Sequence, residues 1–109
     1  MAEPQYCVVY VTCGGQSEAA HIAEAVVGEK LAACVNIVPS VTSVYYWENQ
    51  VNHDTECLLI MKTSTARLPA LEERVKALHS YTVPEFIALP VLAGSQAYLD
   101  WVARNTTAL

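Results

Sequence analysis

The chain has 109 residues, of which 53% are hydrophobic and only 16% charged. That length argues for one domain over residues 1–109, burying roughly two-thirds of its unfolded surface. A net charge of −5 argues against a nucleic-acid partner, which selects a basic face, and few glycines and prolines argue against disorder.

From the N-terminus, MAEPQYCVVYV lacks the basic region and long apolar run of a signal peptide. No stretch approaches about 18 apolar residues, so no membrane helix is predicted. A cytoplasmic location is expected, and the scattered cysteines Cys7, Cys13, Cys34 and Cys57 read as reduced, packed thiols. None has zinc-site spacing. Residues 6–12, YCVVYVT, form a strand with two apolar faces. Gly14-Gly15 then turns the chain, and Ser17 is positioned to cap a helix carrying Glu18 in its first turn. The helical pattern runs to Ala33, with Ile22, Ala23, Val26, Val27, Lys30 and Leu31 on or near one stripe.

Residues 34–47, CVNIVPSVTSVYYW, are extended, with Pro39 marking a bulge or an edge. Glu48, Asn49 and Gln50 form a tight turn, since Asn tolerates a left-handed backbone. Residues 51–63 return as the partner strand of a long hairpin. A second helix begins at Thr65 with Pro69 in its first turns. Its apolar stripe is Leu68, Leu71, Val75 and Leu78, and Glu72 and Lys76 pair on the wet side. Tyr81–Glu85 connects to a fourth strand, FIALPV (86–91), apolar on both faces. Ser95 caps a short final helix carrying Tyr98, Leu99, Trp101 and Val102.

The order strand, helix, strand, strand, helix, strand predicts an α+β, ferredoxin-like β-α-β-β-α-β fold with an extra C-terminal helix. Both main helices then cover one face of the sheet. The other face is not polar: in ECLLIMKT (56–63) the residues Leu58 and Ile60 oppose Cys57, Leu59 and Met61. Several such strands expose more apolar area than monomers tolerate. Covering several hundred Å² per subunit is worth on the order of 10 kcal/mol before association costs. The final helix is short for that task, so the expected cover is another copy of the chain.

Several ordered blocks carry a resemblance: EKLAACVNIVPSVTSVYYW (29–47), ECLLIMKTSTARLPAL (56–71), LHSYTVPEFIALPV (78–91) and YLDWV (98–102). Together they are similar to the CutA family of divalent-cation tolerance proteins over about Val8 to Val102. The resemblance implies a trimeric assembly with the hairpin reaching across subunits. It also implies tolerance of copper and other divalent cations, copper binding in some members, and no established enzyme reaction. The trimer looks like the PII-type signalling proteins too. The alternative is therefore a sensor of a small anionic ligand or nucleotide between subunits, or a structural interaction platform.

Copper prefers thiolate and imidazole ligands. His79 matches a histidine implicated in metal binding in bacterial relatives, although it also suits a helix C-terminus. Its neighbour, histidine in some relatives, is Leu78. Cys34 matches a cysteine of the AAC block. The first-strand cysteine of some bacterial members falls at Val11. Cys13, two residues on and on the same side, is a substitute ligand or an exposed bystander. His21 and His53 read as solvated. A second constellation, Lys62, Tyr81 and Glu85, matches well-kept positions, with Trp47 at the hairpin end. It reads as an inter-subunit polar pocket, in which Glu85 is the natural partner of Lys62, a residue type rarely buried unpaired. GGQSE lacks the spacing of a phosphate loop, and VTCGGQS lacks the MxCxxC of metallochaperones. No Ser/His/Asp or paired-carboxylate arrangement points to catalysis.

Overall fold

The apolar run 57–61 is the middle of a central strand, and only alternate members of it are sealed. The computed structural model describes residues 5–107. Part of the N-terminal reading, on residues 1–4, lies outside the described residues, as do 108–109. The elements are β1 (Tyr6–Cys13), α1 (Gln16–Gly28), β2 (Cys34–Trp47), β3 (Gln50–Ser64), α2 (Leu68–Leu78), β4 (Ile87–Pro90) and α3 (Gln96–Arg104). The sheet order is β2-β3-β1-β4, each neighbour antiparallel. β3 therefore lies between the parallel strands β1 and β2, the split arrangement that the element order predicts.

Cys7, Val9, Val11 and Cys13 of β1 meet Cys57, Leu59, Met61 and Thr63 of β3 on one face. Ala19, Ile22, Ala23 and Val26 of α1, with Leu71 and Val75 of α2, close over them. On the other face, Asn36, Ile60, Tyr10 and Ile87 stand side by side across all four strands. There α3 shades one corner. Its Val102 is buried, Thr106 hydrogen-bonds the Ser64 hydroxyl, and Tyr98 lies beside Cys34. The chain alone leaves the rest of that face open.

Three local expectations are corrected. The first helix ends at Gly28, five residues before Ala33. Lys30 takes a left-handed backbone (φ 61°), its N–H bonds the Val27 carbonyl, and the Leu31 N–H bonds that of Val26. This is a Schellman stop with lysine in the position glycine favours. Leu31 is buried under the stop, while Val27 is 40% exposed and off the buried stripe. Ser17 is not the cap: Gly15 occupies that position with no side-chain bond. β4 is shorter than predicted and its four residues are exposed, because it is an edge strand; Phe86, outside it, packs on the core.

Other expectations hold. Two residues of β2, Pro39 and Ser40, oppose Cys57 alone, which is the bulge. Glu48 and Asn49 both have positive φ, forming a two-residue turn of the kind that matches strand twist. Gln50 already pairs with Trp47. A 3₁₀ turn (Thr65–Arg67) precedes α2, and Lys76 reaches Glu72 at 2.8 Å. Ser95 caps α3, accepting from the Tyr98 N–H.

Candidate functional site

At the root of the hairpin the chain leaves a cleft of about 750 Å³. Its walls are the hairpin residues Ser43–Tyr45, Trp47, Asp54 and Glu56, and the loop Ser80–Val83 with Glu85; Thr12 lies at its floor. The loop is positioned by the end of α2. His79 leaves the helix with an extended backbone. Its Nε2–H donates to the Thr12 carbonyl at 2.7 Å, and its Nδ1 accepts the Tyr81 N–H at 3.1 Å. In this arrangement Nε2 is the donor and Nδ1 the acceptor. The side chain is fully buried, and Glu18 stands 3.6 Å from Nδ1. Glu18 accepts from the Ser80 N–H at 2.7 Å and the Ser80 hydroxyl at 3.0 Å. Burial pushes the Glu18 carboxyl up, but these bonds outweigh it, and its pKa lies below the ordinary range.

Tyr81 turns its hydroxyl onto Glu56, donating at 2.7 Å. Burial and then this carboxylate push the phenol well above its ordinary range. Glu85 is raised as well, first by burial and then by the charge of Glu56. Across the arm, Tyr45 hydrogen-bonds Asp54. Three carboxylates and three aromatic rings thus line the cleft, with no Lys, Arg or His among them.

The cleft gathers Tyr81, Glu85 and Trp47, three of the four residues of the predicted polar pocket. Lys62 is not with them. It lies six residues along β3 from Glu56, roughly 20 Å at strand rise, and bonds the Asn36 side chain. Within one chain the Lys62–Glu85 partnership does not form, because the two sit at opposite ends of the sheet. The metal candidates also divide. Cys13 and His79 flank Thr12, whose carbonyl holds His79. The Cys13 thiol is fully buried, not an exposed bystander, and burial raises its pKa to about 11. Cys34 pairs with Lys62 at the far end of the sheet, on the open face. Among the described residues no three His, Cys, Asp or Glu side chains of one chain converge on a metal position. Reasoning from sequence missed Asp54, Glu56 and Glu18. Glu56 alone left a signal, as the polar residue opening an apolar strand run.

The fold and this cleft define a small ferredoxin-like protein with an acidic recess at the foot of a long hairpin. The family described as "CutA1 divalent ion tolerance protein" matches residues 7–105. The "Divalent-cation tolerance protein CutA" of Thermus thermophilus is 54% identical over 91% of this chain and 96% of its own length. "Protein CutA 1, chloroplastic" of rice is 52% identical over 91% of this chain, which spans only 56% of that protein. The solved Thermus structure superposes with a TM-score of 0.92 over 94% of this chain and 99% of its own, at 53% identity. The "Periplasmic divalent cation tolerance protein CutA" from Archaeoglobus fulgidus reaches 0.91 over 94% and 99%, at 35% identity. The chain belongs to the CutA1 family. No helix of the described residues is long and apolar enough to cross a membrane.

Proposed function

We propose that this chain forms a homotrimer that binds divalent cations, copper among them, and serves in tolerance of those ions without catalysing a reaction. The observation that carries the reading is the acidic cleft: Asp54, Glu56 and Glu85 face one recess that holds no positive side chain. A cation entering it offsets the burial, and after it the Glu56 charge, that raise Glu85. An anionic ligand meets no basic partner there within one chain, so the geometry favours the cation over the nucleotide-sensor alternative.

The donors differ in softness. Carboxylates suit hard ions, whereas copper selects sulfur and imidazole. His79 and Cys13 are the soft donors nearest the cleft. Both ring nitrogens of His79 are already bonded, so it ligates only by giving up Thr12 or Tyr81. Cys34, remote within one chain, joins a site only across subunits. A shared site of this kind accords with weak or partial occupancy. That copies associate rests on the open apolar sheet face, with Ile87 51% and Leu89 41% exposed; that they are three is what the family resemblance implies. The cytoplasmic reading rests on four free cysteines, a usage typical of reducing compartments.

Calorimetric titration with copper, zinc and magnesium tests the function. Wild type is expected to bind copper, with weaker binding in Glu56→Gln/Glu85→Gln, His79→Ala and Cys34→Ser. Unchanged isotherms in His79→Ala and Cys34→Ser remove the soft ligands. Unchanged isotherms in the double carboxylate variant remove the cleft.

A further inference from the structure

Cys13 and Cys57 are directly opposed where β1 pairs with β3. Both lie on the helix-covered face, at 0% and 2% exposure. Their phase in the ladder follows from Thr65, whose N–H donates to the Gln5 carbonyl at 2.8 Å. Hydrogen-bonded pairs alternate along an antiparallel ladder, and the register runs unbroken from Tyr6–Ser64 to Cys13–Cys57. Cys13–Cys57 is therefore a hydrogen-bonded pair, with Cα atoms about 5.5 Å apart. A disulfide spans about 4.4–6.8 Å between Cα atoms, so the reach is right. The Cβ atoms of such pairs stand near 5.5 Å, about 1 Å beyond the disulfide range, so closure asks the backbone to shift.

This place in the sheet is built to shift. β2 bulges directly opposite Cys57, and β1 ends at Cys13 before Gly14-Gly15. The other two cysteines have no such opponent: Cys7 faces Thr63 and Cys34 faces Lys62. We propose that Cys13 and Cys57 are a reversible redox pair that closes to a strained cross-strand disulfide at the foot of the hairpin. This inference does not rest on the metal-binding reading, although closing the pair would withdraw Cys13 from the soft donors near the cleft.

With a hydroperoxide as oxidant the step balances. One sulfur attacks the peroxide oxygen, breaking the O–O bond, releasing an alcohol and becoming a sulfenic acid. The opposed sulfur displaces the hydroxyl, giving the S–S bond and one water. Two electrons pass from the thiols to the peroxide. In the reduced protein Cys13 donates to the Gly15 carbonyl at 3.6 Å and Cys57 to the Pro39 carbonyl at 3.4 Å. Closure removes both bonds and frees the Pro39 carbonyl at the bulge. It also pulls on Gly14, where even a Cβ would stand 3.5 Å from the Tyr81 hydroxyl. The hairpin root and the Tyr81 wall of the cleft therefore answer to the redox state. A strained disulfide reopens readily, as a switch must.

The test uses folded wild-type protein treated with hydrogen peroxide, alkylated and digested with trypsin. Cleavage after Lys30 and Lys62 leaves Cys7 and Cys13 in peptide 1–30 and Cys34 and Cys57 in peptide 31–62. The expected product is these two peptides joined, with fragmentation placing the link at Cys13–Cys57 and dithiothreitol undoing it. Cys7→Ser and Cys34→Ser are expected to keep the link, and Cys13→Ser and Cys57→Ser to lose it. A link through Cys7 or Cys34, or oxidation of single cysteines only, in protein still folded by circular dichroism, overturns the pair. Amide exchange at residues 40–42 is expected to quicken several-fold in the disulfide form. Equal exchange in both forms overturns the coupling to the hairpin.

Discussion

Val9, Val11, Leu59 and Met61 are wholly buried beneath α1 and α2, whereas Val8, Tyr10, Leu58 and Ile60, on the same two strands, keep part of their surface in water. The two sets differ little in hydrophobicity. What differs is the cover: two amphipathic helices on one side, a nine-residue helix over one corner on the other. A strand that is apolar on both faces therefore carries two instructions. Intramolecular packing satisfies one of them. The other points outward, to association.

The largest effect that tests this contrast is on the sealed face. Leu59→Ala is expected to cost about 2–5 kcal/mol by leaving a cavity, with a midpoint in denaturant that falls at every protein concentration. Next comes the open face. Ile87 is 51% exposed, so Ile87→Glu should change the stability of the isolated chain by no more than about 0.5 kcal/mol. It should nevertheless shift sedimentation toward a slower, smaller particle. If Ile87→Glu sediments like wild type, the open face is not where copies meet and the second instruction goes unread.

Much of this fold is legible in the residues. Apolar runs and helical stripes placed the elements, Pro39 located the bulge, and Asn49 located the turn. The sealed face was not separable from the open one, because Leu58 and Leu59 give no polarity to choose by; that choice belongs to tertiary packing. The end of α1 escaped because lysine, not glycine, sits in the left-handed position. At the site, Tyr81, Glu85 and Trp47 were visible, and the structure brings them to one cleft. Glu56 and Asp54 come from a strand whose reach depends on the register across the bulge, which spacing alone does not give. Lys62 and Glu85 were paired by charge complementarity across subunits; within one chain Lys62 bonds Asn36 instead.

Lys30 gives the next smaller effect and bears on the covered face, since it ends the helix that seals it. A left-handed backbone costs a residue with a Cβ roughly 1–2 kcal/mol, and glycine's extra unfolded freedom offsets part of the relief. Lys30→Gly is thus expected to stabilise by about 0.5–1 kcal/mol in chemical denaturation. Loss of stability would mean that the lysine side chain does more at this stop than tolerate it.

The smallest effects come from two carboxylates near Tyr81, and their signs should oppose. Glu18 is held below its ordinary pKa, with the Ser80 bonds outweighing burial. It therefore contributes stability that is present above the unfolded carboxylate pKa, near 4.3, and is lost as pH falls through its folded value. Glu85 is raised, by burial and by Glu56. Its ionisation works against the fold, so stability declines as pH rises through that same unfolded value and levels off above the folded one. At pH 7, Glu18→Gln should therefore lower the thermal midpoint and Glu85→Gln should raise it; the Glu85 difference should fade as pH falls below the ordinary carboxylate range, and the Glu18 difference only as pH falls through its lower folded value. A divalent cation held by Glu56 and Glu85 would reverse the second sign, because the ionised form then becomes the favoured one. Repeating the Glu85→Gln melt with and without copper thus separates a cleft that merely tolerates its crowded charge from one that uses it.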